Sequence, residues 1–286
     1  MNGNLLTLNT ASFPETLRTI AGPPNELYYA GPLEELLDRP RLAVVGSRKV
    51  SPYGRNVTTK LAAAVAGQGI VIVSGLAFGV DALAHQAALD AGGLTIAVLP
   101  SSLDQIYPAS HRNLAQRILD NGGALVTEYA NTPSVPKHHF IARNRLISGL
   151  SNATLITEAA LKSGSLHTAR FTLEQGHELL AVPGSIFSDT SVGTNNIIKA
   201  GAVPVTCLED ILFAMKLQPT MSTQKTITGA NAFEQAILDA LMNGISDGDE
   251  MLTFSQLEIT QFNQALTMLE ITGKIRSLGA NNWALA

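Results

Sequence analysis

Seven short apolar runs recur along the chain, at residues 42–45, 70–73, 95–99, 124–127, 154–157, 179–182 and 203–206. Each is continuous and rich in β-branched residues, as parallel strands covered on both faces are. Between them lie stretches with helical periodicity, at 54–68, 81–91, 110–121, 143–150, 165–175 and 194–200. Strand and helix alternating at this spacing predict an α/β fold: a doubly wound, mostly parallel, Rossmann-like sheet over residues 41–215. Ligands of such sheets bind beyond the carboxyl ends of the strands. Residues 1–40, with Pro23 and Pro24, read as an arm packed on that core and too short for a domain of its own. Residues 216–230, KLQPTMSTQKTITGA, are polar and punctuated by proline and glycine, as a linker is. Residues 231–286 show helices at 232–242, 254–259 and 261–272, then a strand pair turning at Ala280 and Asn281, a winged-helix-like pattern.

Composition narrows the function classes. No run of about 18 apolar residues occurs, and the start, MNGNLLTLNT, has neither a basic nor an apolar leader region, which predicts a cytoplasmic protein with no membrane partner. The single cysteine, Cys207, excludes an intrachain disulfide and a multi-cysteine metal site, and its apolar surroundings predict a buried, inert thiol. The formal charge of -4 is carried by the last 66 residues, where Lys225, Lys274 and Arg276 face Glu234, Asp239, Asp247, Asp249, Glu250, Glu258 and Glu270. The larger part is neutral, so a polyanion must be held by a local patch.

Two acid-free windows supply that patch. Between Asp38 and Asp81 stand Arg39, Arg41, Arg48, Lys49, Arg55 and Lys60 with no carboxylate; between Glu128 and Glu158 stand Lys137, His138, His139, Arg143 and Arg145. Gly46, Ser47, Arg48 and Lys49 follow the first strand directly, and an arginine there offers a bidentate fork to phosphate. Gly75, Phe78 and Gly79, in SGLAFGVD, predict a loop whose amides form an anion nest, with Asp81 capping the next helix. The loop from Lys137 to Arg145 sets Phe140 among cations and Asn144. That mixture suits single-stranded nucleic acid, with a ring for base stacking, although Phe140 as a core plug reads equally well. Ser163, Gly164 and Ser165 open the next helix, either as another anion site or as ordinary capping.

Several signatures are missing. The sequence has no G-x-G-x-x-G after its first strand, no G-x-x-x-x-G-K-[ST], no G-x-S-x-G, and no metal-ligand spacing among its histidines. No catalytic residue, metal site or cofactor is expected.

The blocks GSR (46–48), SGLAFGVDALAHQAAL (74–89), FIARNRLISGLS (140–151), EAALKSGSLHTA (158–169), VPG (182–184) and GTNNIIKAGA (193–202) resemble, in this order, the DNA processing protein A family, also called Smf. The resemblance covers roughly residues 14–212. It implies a non-enzymatic recombination mediator that binds single-stranded DNA, forms a homodimer and loads RecA recombinase during natural transformation. It also implies DNA contact by Arg48, Gly75, Lys137 and Phe140, a motif at Arg143, Asn144 and Arg145, and a dimer surface near residues 197–217. Many members carry a helical N-terminal domain, where this sequence has some 40 residues before the sheet. The acidic C-terminal module disfavours phosphate contact and points to protein contact instead. The enzyme alternative is a nucleoside-monophosphate hydrolase of the lysine-decarboxylase-like group, whose P-G-G-x-G-T-x-x-E signature LKSGSLHTARFTLE does not supply. A protein-interaction scaffold with an incidental basic patch is the third class.

Overall fold

The computed structural model describes residues 3–10, 13–131, 135–218, 229–279 and 281–285, and the chain divides into two compact units, residues 1–220 and 221–286. The larger unit runs β1 (Asn4–Thr7), α1 (Glu15–Arg18), β2 (Glu26–Ala30), α2 (Leu33–Leu37), β3 (Arg41–Val45), α3 (Pro52–Gly67), β4 (Val71–Ser74), α4 (Val80–Asp90), β5 (Thr95–Val98) and α5 (Arg112–Asp120). It continues through β6 (Ala124–Thr127), α6 (Lys137–Gly149), β7 (Ala153–Ile156), α7 (Ser165–Glu174), β8 (Glu178–Ala181), α8 (Val192–Lys199), β9 (Val203–Pro204) and α9 (Leu208–Ala214).

One nine-stranded sheet results, in the order β1-β2-β6-β5-β4-β3-β7-β8-β9. Every pairing from β6 to β9 is parallel, while β1 with β2 and β2 with β6 are antiparallel. Side chains alternate across the pleat: Leu42 and Val44 of β3 pack with Leu61, Val65 and Ala84 of α3 and α4, while Ala43 and Val45 pack with Leu146 and Ile147 of α6. This double coverage is why the strands read as continuous apolar runs. Truncating Leu42, which is fully buried, costs about 2–5 kcal/mol. The chain winds from β3 out to β6, then returns to the other flank of β3 through β7. The reversal point, where the loops after β3 and β7 part, is the place a doubly wound sheet holds its ligand.

Within the larger unit the structure differs from the sequence expectations at these four places. Residues 1–40 are more than a packed arm, because β1 and β2 extend the sheet and Phe13, Leu17, Leu27, Leu33 and Leu36 enter the same core as α6. The run at 203–206 yields only β9, since Pro204 has no amide to continue the ladder. Cys207 is exposed, not buried, and stands as N-cap of α9. The stretch from Lys137 to Arg145 is helix, not loop: α6 starts right after Pro136 and meets no breaker before Gly149. Of the expected linker, residues 219–228 lie outside the described residues.

The second unit comprises α10 (Ala232–Met242), α11 (Gly248–Ser255), α12 (Ile259–Ile271) and the antiparallel pair β10 (Ile275–Gly279) and β11 (Asn282–Leu285). Ile237, Leu238, Met251, Phe262, Leu269 and Ile275 form its core. Its middle helix begins earlier than expected because Asp247 caps it, accepting from the Asp249 and Glu250 amides at 3.0 and 3.2 Å.

Candidate nucleic-acid interface

The turn after β3 is built to expose two cations. Gly46 is a packing requirement: a Cβ there would lie 2.7 Å from Val80 Cγ2 and 2.8 Å from Glu158 O. The Ser47 amide donates to Glu158 O at 2.8 Å, and Ser47 O accepts from the Val80 amide at 3.1 Å. Ser47 Oγ closes the turn by accepting from the Lys49 amide at 3.1 Å. Ser47 therefore shapes the loop, and Arg48 and Lys49 stand exposed at its apex.

Two buried carboxylates take the donors at the start of α3 and in the loop after β4. At the start of α3, Ser51 Oγ accepts from the Gly54 amide at 3.0 Å, and the Glu158 carboxylate accepts from the Ser51 amide at 3.2 Å and hydroxyl at 2.6 Å. Gly54 makes room for it, since a Cβ would fall 1.9 Å from Glu158 Oε2. After β4, Asp81 does not cap α4, a position taken by Gly79 at φ +80°. Instead Asp81 Oδ2 accepts from the Gly75 and Ala77 amides at 3.1 and 3.4 Å. The expected anion nest therefore turns these two amides inward onto the protein's own anion.

Arg143 completes that network. It is 2% exposed, and its Nη1 donates to Gly75 O at 2.7 Å and to Val98 O. Burial pulls its pKa down to about 10, opposed by Asp81, and burial pushes the Asp81 carboxyl up, opposed by Arg143 and the two amides. Arg143 and Gly75 are thus framework, out of reach of a phosphate. Arg145 is committed too: Nη2 meets Glu128 Oε2 at 2.6 Å and Nε donates to Gly22 O at 2.9 Å. Asn144 Nδ2 donates to Gly164 O at 3.4 Å, Ser163 Oγ and Ser165 Oγ are 2.8 Å apart, Gly164 is the N-cap of α7 without a side-chain cap, and of these three residues only Gly164 is exposed.

The first turn of α6 carries the exposed chemistry. Helical spacing sets Lys137 and Phe140 on one side. The Phe140 ring lies edge-on to Tyr107 at 5.2 Å, and Arg48 Cζ lies 5.0 Å from its centroid. A cation from the β3 turn, a ring from α6 and a second ring from the loop after β5 thus meet. Beside them His139 stacks on Tyr129 at 3.9 Å, with exposed His138 edge-on at 4.7 Å. Phe78 is exposed and packs edge-on against His111, whose Nδ1 lies 2.8 Å from Leu76 O. Of the acid-free windows, Arg41 belongs to the far ends of the strands, donating to Leu150 O at 2.6 Å and Arg39 O at 2.7 Å. Tyr107, His111 and Glu158 were missed in the sequence: the two rings lie outside the cation-rich windows and Glu158 just closes one. Among the described residues no group of three His, Cys, Asp or Glu could hold a metal ion, and no helix is long and apolar enough to cross a membrane.

The model of the family described as DNA recombination-mediator protein A matches residues 4–216, nearly all of the larger unit. The chain belongs to this family. Protein Smf of Escherichia coli (strain K12) is 44% identical over 211 residues, which is 74% of this chain and 56% of that protein; the chain thus spans little more than half of that relative. The solved DNA processing protein A of Streptococcus pneumoniae superposes with a TM-score of 0.69 at 38% identity, over 73% of each chain. That of Helicobacter pylori, described for its single-stranded DNA binding mode, gives 0.66 at 35% identity over 74% of this chain and 95% of its own. Membership in the mediator family rests on the larger unit, since residues 217–286 fall outside the matched segment.

Proposed function

We propose that the carboxyl edge of the sheet binds single-stranded DNA, with Arg48, Lys49 and Lys137 taking phosphates, His138 and Gly164 at the rim, and Phe140 stacking a base. The observation that carries this reading is the Arg48 guanidinium resting on the Phe140 ring at 5.0 Å, a cation and a stacking face in one contact. The chain then serves as a mediator that holds incoming single strands as a homodimer and hands them to RecA recombinase in natural transformation. The family membership supports that role, and exposed Phe213 on α9 supplies apolar surface in the stretch expected to dimerise. The second unit acts as a winged-helix-like protein contact, in keeping with its acidic balance.

This reading requires no catalysis. The nucleoside-monophosphate hydrolase alternative is disfavoured because the segment LKSGSLHTARFTLE lacks its signature and Ser165, at the start of α7, is buried. Fluorescence anisotropy of a labelled unstructured oligonucleotide and its duplex over a salt series tests the proposal. The single strand should bind more tightly, with a linear loss against log salt that flattens in Arg48→Ala; absence of single-strand binding at low salt refutes it.

A further inference from the structure

We propose that Tyr107 and Phe78 are two further base-stacking positions, making the edge a track for several successive bases instead of a single ring. The inference rests on the single-strand reading above. Phe, Trp and Tyr make up only 5% of the chain, yet every ring pair found among the described residues, histidine rings included, lies in the segments following β4, β5 and β6. A fold using rings for its core would bury them. Here Phe78 and Tyr107 remain 50% and 45% exposed while each is braced edge-on, by His111 at 4.9 Å and by Phe140 at 5.2 Å.

Bracing matters because a ring already fixed loses little freedom when a base stacks on it. The Phe78 loop is held from beneath by Asp81, by Arg143 and by His111 on Leu76 O, with Leu76 itself at φ +54°. A non-glycine residue in that conformation persists only where its surroundings impose it. Neighbouring parallel strands are about 4.8 Å apart, so the loops after β4 to β6 spread the rings over roughly 10 Å of sheet edge. Arg48 and Lys137 border this row and provide for the phosphates.

The test uses the full chain with oligo-dT of graded length, about 4 to 16 nucleotides, and a long oligo-dT carrying one abasic site at successive positions. With wild-type protein, abasic substitution should weaken binding at more than one position. Tyr107→Leu and Phe78→Leu should each lose about fivefold or more on the long oligomer while the slope against salt stays unchanged. Tyr107→Phe should bind as wild type, and thermal melts confirm that the variants are folded. A single sensitive abasic position, or leucine variants that bind long oligomers normally, overturns the track and leaves Phe140 as the sole platform. Failure of wild-type protein to bind any oligomer instead overturns the single-strand reading itself.

Discussion

Charge and stacking make separable demands on the same site, and salt separates them. Lys137 stands exposed at the first position of α6, so Lys137→Ala removes one phosphate contact and lowers the salt slope by about 0.7 for a single strand. Raising salt from about 50 to about 200 mM should therefore shrink its deficit against wild type by about 2.6-fold. Phe140→Ala should instead lose about 1–3 kcal/mol, the same at every salt concentration, because stacking releases no counterions. Arg48 belongs to both classes, since its guanidinium lies 5.0 Å from the Phe140 ring. Arg48→Ala should flatten the slope, and the double variant should show a coupling of about 0.5–1 kcal/mol, the worth of an exposed cation–π contact. Arg145→Ala is the control: its charge is already paired with Glu128 at 2.6 Å, so the slope should not move. The assay is anisotropy of a labelled oligo-dT across the salt range. The reasoning fails if Arg145→Ala flattens the slope as Lys137→Ala does, or if the Phe140→Ala deficit fades with salt.

Three other outcomes follow from the framework. Asp81→Ala strands a buried guanidinium and two amides, and should lower unfolding free energy by about 3–5 kcal/mol in urea titration. His85 is fully buried with Nδ1 2.6 Å from Thr95 Oγ1, and burial pulls its pKa to about 3. The unfolded chain protonates this ring below about pH 6.5 and the folded one does not, so stability is lost as pH falls from there toward about 3, near 1.4 kcal/mol per pH unit; that component should be missing when the pH dependence of His85→Gln unfolding is measured. Deleting residues 221–286 should leave most single-strand affinity, and a large loss in anisotropy would transfer the site to the second unit.

The parallel sheet was legible because doubly covered strands are mostly apolar on both faces, and β3 to β8 are buried throughout but for Glu178 at the start of β8. β1 and β2 escaped notice: Asn4, Leu5 and Glu26 are exposed, so their pattern is neither continuous nor cleanly alternating. Charge windows placed Arg48 in the turn after a strand, where the structure has it, and Lys137 in a loop that is the first turn of α6, but charge alone cannot tell a free cation from a committed one. Arg143 and Arg145 look like Lys137 in the sequence, and only the fold shows their partners, Gly75 O and Val98 O for one and Glu128 for the other. Nor could spacing reveal that Arg48 and Phe140, which are 92 positions apart, share one contact.

The two internal carboxylates explain why the exposed cations sit where they do. A doubly wound sheet offers its best anion sites at the helix start after the first strand and in the next loop, where amides converge on a small phosphate. Here Glu158 and Asp81 take both, each satisfying two donors and each walled in by a glycine, Gly54 or Gly75, where a Cβ would collide. Any incoming phosphate must displace a buried carboxylate or stay outside, and displacement would leave several buried donors to be matched again. On the reading proposed above, binding falls on the open rim, where exposed Arg48 and Lys137 stand with Phe140. A rim of separate cations and rings holds a small nucleotide weakly, through one contact at a time. It holds a polymer well, because each further nucleotide adds its own phosphate and base to a strand already tethered. On that reading, internal anions at these two places favour a chain of nucleotides on the rim over a single small phosphate within.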